Sequence, residues 1–199
     1  PKNSFSSLSI SSKIEKSDDG FKITSDKNET FESKTILIAM GSAYRKLNVL
    51  GEQQFEGKGV FYCTICDAPL MKDKIVAVIG GGNSGFESAI DLEPYASKIY
   101  ILNHSGTSKA DQTMQEKVSK SLKIEVITMA ETQEILGQNL VTALKYLDKN
   151  NNEAKELKVD GIFVSIGYVP NSNIAKDLVT TNERGAIIVD SKTKQTSQI

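Results

Sequence analysis

The sequence predicts an α/β fold in which a parallel sheet is built from strand–helix–strand units and then interrupted by an antiparallel three-stranded meander. Three observations predict it. The apolar run Ile75–Ile79 passes straight into a glycine-rich turn and then into a helical pattern. The strand–helix alternation repeats over residues 99–128. Thr132–Leu136, Val141–Leu147 and Glu153–Val159 then follow as strand-like segments, the last two separated by the polar run Asp148-Lys-Asn-Asn-Asn152.

The 199 residues suffice for one large domain, or one domain and part of another. The 25 acids and 24 bases leave a net charge of −1. That argues against nucleic acid or an anionic membrane surface as the main partner, since both favour a basic excess. No apolar run has the length needed to span a bilayer, and no signal peptide is visible. The chain begins at Pro1 rather than Met, so the native start is expected to lie upstream.

Taken in order, residues 1–35 are rich in Ser and Lys, with a strand expected at Phe21–Thr24 and a hairpin turn before it at Ser17-Asp-Asp-Gly20. Thr35–Ala39 is a continuous apolar run, the pattern of a strand buried on both faces. Residues 42–62 contain Gly51, Gly57 and Gly59 with little periodicity and read as a connection between domains. After the strand Ile75–Ile79, Phe86, Ala89 and Ile90 fall at i, i+3, i+4 on one helix face, and Pro94 is expected to end that helix near Leu92. Ile99–Leu102 is the next buried strand. Met114 and Val118, with Leu122 beyond, mark a helix over about residues 110–121, and Ile124–Thr128 gives a third strand. Gly161–Gly167 returns as a buried strand, and Ala186–Val189 is a last one before a polar tail. The flanks look like parts of a second domain that this chain only partly contains.

Gly80-x-Gly82-x-x-Gly85 has the spacing of a Rossmann-like dinucleotide turn. The first glycine permits the tight turn, the second lets a pyrophosphate approach the backbone, and the third lets the helix pack on the strand. The helix N-terminus offers unpaired N–H groups to phosphate. The preceding strand and following helix supply the context the motif needs; the alternative is a glycine-rich turn without a nucleotide. At the end of the second strand an acid would suit NAD and an arginine NADP. Here stand Asn103, which could serve a hydroxyl, and His104, which with Lys109 could serve a phosphate or be a solvated loop side chain.

The chain has two cysteines, spaced CxxC in Cys63-Thr-Ile-Cys66-Asp67. A secreted disulfide scaffold would carry more. Structural zinc needs four ligands, and His104 is the only histidine, so no metal site is expected. A redox-active pair or two incidental thiols remain. In a redox pair one thiol attacks a disulfide and the other resolves the mixed disulfide. A nicotinamide hydride reduces sulfur with difficulty, so a flavin normally stands between. Asp67 could exchange a proton with this chemistry or simply cap a turn.

Together, Phe61-Tyr-Cys-Thr-Ile-Cys-Asp67, Gly80-Gly-Gly-Asn-Ser-Gly-Phe-Glu87 and Gly161-Ile-Phe-Val-Ser-Ile-Gly-Tyr-Val-Pro-Asn171 resemble the low-molecular-weight thioredoxin reductase family, including the flavoprotein reductase of the alkyl hydroperoxide system. Thr35-Ile-Leu-Ile-Ala-Met-Gly41 resembles that family's Ala-Thr-Gly segment near the flavin, with Met40 in place of Thr. The resemblance implies a nicotinamide-binding domain at residues 48–169 that carries the CxxC, flanked by partial FAD-domain segments at 1–47 and 170–199. It implies Cys63 and Cys66 as the redox pair, Asp67 as the proton-transfer acid, and Gly80, Gly82, Asn83, Ser84, Gly85, Glu87 and Gly167 at the nicotinamide cofactor, with Asn103, His104 and Lys109 beside it.

The same resemblance implies FAD in the full-length parent, NADPH or NADH as donor, a thioredoxin-like or peroxiredoxin-system protein as partner and a homodimer; a labile dithiol cycle suits a reducing, cytoplasmic setting. Asn103, His104 and Ser105 stand where NADPH-using members carry His-Arg-Arg. Lys109-Ala-Asp111 is closer to the hydroperoxide branch, which prefers NADH and has an acid at the position of Asn103. The family's N-terminal FAD glycine motif and C-terminal Gly-Asp segment are absent, so the fragment is expected to bind FAD poorly and to need other parts for turnover. A nucleotide-sensing module without turnover is the non-enzyme alternative.

Overall fold

A two-residue turn, Asp18-Asp19, folds the start of the described chain, residues 11–197 of a computed structural model, into a hairpin. Its arms are β1 (Ser11–Ser17) and β2 (Gly20–Ser25), with Ser17 opposite Gly20 as the turn residues suggest. The Ser25 hydroxyl accepts the N–H groups of Lys27 and Glu29 at 3.2 and 3.1 Å, and the chain turns back into β3 (Thr30–Ser33). The buried strand expected at Thr35–Ala39 does not form: residues 35–40 are irregular and Leu37 is 91% exposed. An apolar run becomes a doubly buried strand only with partners on both edges and layers on both faces. Among the described residues no strand pairs with it.

After β4 (Ser42–Tyr44) the chain enters a second unit, Tyr44–Gly167; the first comprises the residues before it together with those from Tyr168 on. The supposed connection at 42–62 contains an unexpected strand, β5 (Val60–Phe61), both residues buried. One helical turn, α1 (Thr64–Asp67), and a 3-10 turn, Ala68–Met71, lead to β6 (Ile75–Ile79). Then come α2 (Asn83–Leu92), β7 (Lys98–Leu102), α3 (Gln112–Lys120) and β8 (Ile124–Ile127). Helix α2 ends ahead of Pro94, as expected. Leu122 lies beyond the end of α3 and is 98% exposed, so it belongs to the turn and not to the apolar face.

The meander is β9 (Ala130–Gly137), β10 (Val141–Asp148) and β11 (Glu153–Lys158), antiparallel throughout. The chain then returns as β12 (Gly161–Val164), which inserts between β5 and β6. The result is a five-stranded parallel sheet in the order β5-β12-β6-β7-β8. Its period of two sorts the side chains. Val76, Val78, Ile99, Ile101 and Phe163 face Phe86, Ala89 and Leu92 of α2 and Val118 of α3. Ala77, Ile79, Leu102, Ile162 and Val164 pack instead with Ile135, Val141, Leu144 and Tyr146 of the meander. Burial on both faces is why these strands read as unbroken apolar runs.

A short strand the sequence did not announce, β13 (Tyr168–Pro170), pairs with β4 as the chain leaves the second unit. The strand expected at Ala186–Val189 is not formed; Ile187 makes one isolated bridge to Thr181, and Ile188 and Val189 are exposed. The run has no neighbouring strand among the described residues to complete a ladder. Among the described residues no helix is long and apolar enough to cross a membrane.

Phe163 is fully buried on β12, its ring centroid 5.3 Å from that of Phe61. Phe163→Ala should cost about 3–5 kcal/mol, read from urea unfolding. A loss below about 1 kcal/mol would contradict the packing described.

Candidate nucleotide and dithiol site

The glycine turn sits at the carboxyl end of β6, between the neighbours β12 and β7. The chain moves outward to β7 and β8 on one side and returns through β12 on the other, so this is a topological switch point, where open α/β sheets bind ligands. Gly80 has φ +143°, and a Cβ there would overlap the Ser165 carbonyl. A Cβ on Gly85 would overlap the Gly80 carbonyl, so its bare Cα is what lets α2 lie against the strand end. Gly82 differs: an added Cβ would meet nothing within 4 Å. The backbone there faces open space at the start of a ten-residue helix with no acidic residue in its first turn. The positive end of the helix is unneutralised by its own sequence, and this cradle fits a pyrophosphate.

The loop after β7 is tied to this turn. Asn83 donates to Asp111 Oδ2 at 2.8 Å and accepts the Asp111 N–H at 2.8 Å, while the Lys109 N–H donates to the Gly81 carbonyl at 2.8 Å. The Asn83 amide is thus committed to loop geometry. So is Asn103: it is 3% exposed, donates to the Thr107 carbonyl at 3.1 Å and accepts the Ser105 N–H at 3.1 Å. A Cβ on Gly81 would overlap its side chain. Exposed on the rim are Ser84, Glu87, His104 and Lys109; the His104 imidazole lies 3.3 Å from the Ser105 hydroxyl. A pocket of about 380 Å³ opens beside the turn, lined by Leu47, Gly80, His104, Thr132, Lys149 and Ile166. The Thr132 hydroxyl oxygen is buried without a hydrogen-bond partner. Gly167, at φ +96°, accepts the Arg45 N–H at 3.0 Å where the chain leaves the unit.

Cys63 and Cys66 form a disulfide, with Cα atoms 5.3 Å apart. Cys63 is half-buried, Cys66 is exposed, and Ile65 between them is 85% exposed. Asp67 is half-buried; it begins the 3-10 turn without a side-chain capping bond, so the turn-cap reading is not realised. Tyr62, next to Cys63, donates its phenol to Glu52 at 2.8 Å. Glu52 is 5% exposed and also accepts the N–H groups of Leu47 and Asn48 at 2.8 and 2.7 Å, so one buried carboxylate fastens the incoming chain to the strand that delivers the dithiol. Burial, then the bond to Glu52, holds the Tyr62 phenol well above the ordinary tyrosine range. The Lys46 ammonium lies 3.8 Å from the Tyr62 ring centroid.

Sequence reasoning missed two sets of residues here. Glu52 and Tyr62 are one. The other is a line of hydroxyls, Thr64, Ser88 and Ser165, at 2.8 and 2.9 Å. Their separations of 24 and 77 residues leave no local pattern to find.

The family model for pyridine nucleotide-disulphide oxidoreductases matches residues 7–198. An alkyl hydroperoxide reductase subunit of Staphylococcus aureus (strain MRSA252) is 44% identical over 177 residues, covering 89% of this chain and 35% of the relative. The corresponding protein of Staphylococcus epidermidis (strain ATCC 35984) is 40% identical over the same share. The chain therefore spans 35% of the length of these curated relatives. The thioredoxin reductase of Lactococcus lactis (FR conformation) superposes with a TM-score of 0.82 at 29% identity, over 95% of this chain and 62% of that one. The thioredoxin reductase of T. acidophilum gives 0.79 at 35% identity, over 93% and 60%. With its switch-point glycine turn and CxxC disulfide carried on one unit, the chain belongs to the pyridine nucleotide-disulphide oxidoreductase family.

Proposed function

We propose that this chain is the dithiol and nicotinamide part of a flavoprotein disulfide reductase, passing electrons from NAD(P)H to Cys63–Cys66 and on to a small redox protein. One observation carries the reading: a disulfide with one exposed cysteine stands on the same unit as a glycine turn whose second glycine faces open space. The turn holds the diphosphate on the α2 N-terminus, with His104 and Lys109 beside the adenosine ribose and the pocket at Thr132 and Ile166 taking the rest of the nucleotide. Asn83 and Asn103 shape the turn and the loop. The flavin supplies two-electron transfer between nicotinamide and sulfur. Thr35–Gly41, the segment that would face it, is irregular and largely exposed. FAD is assigned to the rest of the longer protein.

In the reduced pair, Cys66, the more exposed residue of the two, attacks the partner's disulfide, expelling one partner thiolate. Cys63 then attacks Cys66 in the mixed disulfide. The Cys63–Cys66 bond re-forms, the second partner thiol leaves, and two electrons have passed to the partner. Asp67, adjacent and without a capping bond, exchanges the proton. The likeness to the alkyl hydroperoxide reductase of Staphylococcus aureus favours a partner in a peroxiredoxin system. A labile dithiol cycle suits a reducing, cytoplasmic setting.

In the longer protein, Cys66→Ser should abolish NAD(P)H-dependent reduction of a thioredoxin-like disulfide; a normal rate would remove the dithiol from the mechanism. Calorimetric titration of the 199-residue chain with NADH and NADPH should show weak binding of both with little selectivity, because the loop after β7 offers neither a free acid nor an arginine pair. A preference of about 100-fold, ~2.7 kcal/mol, would contradict this. Gly82→Val should remove binding of both nucleotides while the chain still folds, with a stability loss of about 1 kcal/mol for the poorer N-cap.

A further inference from the structure

Three hydroxyls connect the dithiol turn to the glycine turn. Thr64 Oγ1 donates to Ser88 Oγ at 2.8 Å. The Ser88 and Ser165 hydroxyls share a second hydrogen bond at 2.9 Å, in which either oxygen can donate. The Ser165 N–H in turn donates to the Ile79 carbonyl at 2.8 Å, at the end of β6, and its carbonyl is the group that Gly80 must clear. Thr64 and Ser88 are each 8% exposed. The line therefore runs through the interior, from the residue after Cys63 to the residue at the first glycine.

The dithiol turn needs such an anchor. Helix α1 has four residues, too few to be stable alone. Its outer side is Ile65 and Cys66, both exposed, and among its four residues only Thr64 is buried. Behind it, Ala68 and Met71 sit in the core at 3% exposure each and hold the far side of the turn. Burial of Thr64 fixes the depth of the turn, and a directional hydroxyl bond adds a constraint on its rotation.

We infer that Thr64, Ser88 and Ser165 are positioning residues for the dithiol, holding the turn in the arrangement that brings Cys63 and Cys66 together. The inference rests on the reading of that pair as redox-active. Ordering two groups raises the effective concentration of one at the other. The intact line thus favours the disulfide, and breaking it makes the pair easier to reduce.

The test is the dithiol–disulfide equilibrium of the whole chain in dithiothreitol redox buffers, with free thiols counted by alkylation and mass. Thr64→Val keeps the shape and removes the hydroxyl. It should shift the equilibrium toward the dithiol by about threefold to tenfold, which is about 15–30 mV. Ser88→Ala should shift it equally, and the double variant no further, because both break one line. Thr64→Ser, which keeps the hydroxyl, should titrate as wild type. Ser165→Ala, at the half-buried far end, should shift in the same direction and keeps the question answerable if a variant at the buried positions fails to fold. Thr64→Val titrating as wild type, or Thr64→Ser shifting as far as Thr64→Val, would overturn the inference in favour of simple packing. A wild-type pair that no dithiothreitol ratio reduces would overturn the redox reading itself; a pair that titrates normally with unshifted variants overturns only the hydroxyl line.

Discussion

Helix α2 can begin where it does only because Gly85 has no side chain. Its Cα stands against the Gly80 carbonyl, where a Cβ has no room. That approach brings the helix onto the end of β6 and aims its N-terminus over the switch point of the sheet. Phe86, Ala89 and Leu92 can then reach the apolar side chains of β6 and β7, and Ser88 meets Thr64 beneath the dithiol turn. The exposed helix start, the core packing and the dithiol placement thus follow from one close contact between two glycines.

The sheet holds the glycine turn and the disulfide turn on one platform. One face is covered by helices and the other by the meander, so no strand of the sheet can shift without disturbing both cores. The dithiol turn leaves β5 and returns to β6, both held in register with β12. Glu52 adds a second hold from the other side, drawing two backbone amides and the Tyr62 phenol onto one buried carboxylate. The sulfurs are placed by these surroundings, since the one-turn helix that carries them supplies little stability of its own.

Features with local causes were legible in the residues. The glycine spacing, the apolar strand before it, Pro94 as a helix stop and the asparagine turn of the meander each act within a few positions. What could not be read depends on partners far along the chain. Val60–Phe61 is too short to announce itself and becomes a strand because β12 lies beside it. Thr35–Ala39 has the residues of a buried strand and no ladder partner among the described residues, so it stays irregular. Asn103 was legible as a polar residue at the end of the second strand; only the fold shows its amide already engaged by Thr107 and Ser105.

A nicotinamide electron pair and the sulfur pair are held here to belong to one path. The most direct measurement is made on the longer, flavin-loaded protein: anaerobic addition of NADH or NADPH, then alkylation and mass analysis of Cys63 and Cys66. The expected result is two alkylated cysteines with nucleotide and none without it. A disulfide that stays closed while the nucleotide is oxidised would contradict the shared path.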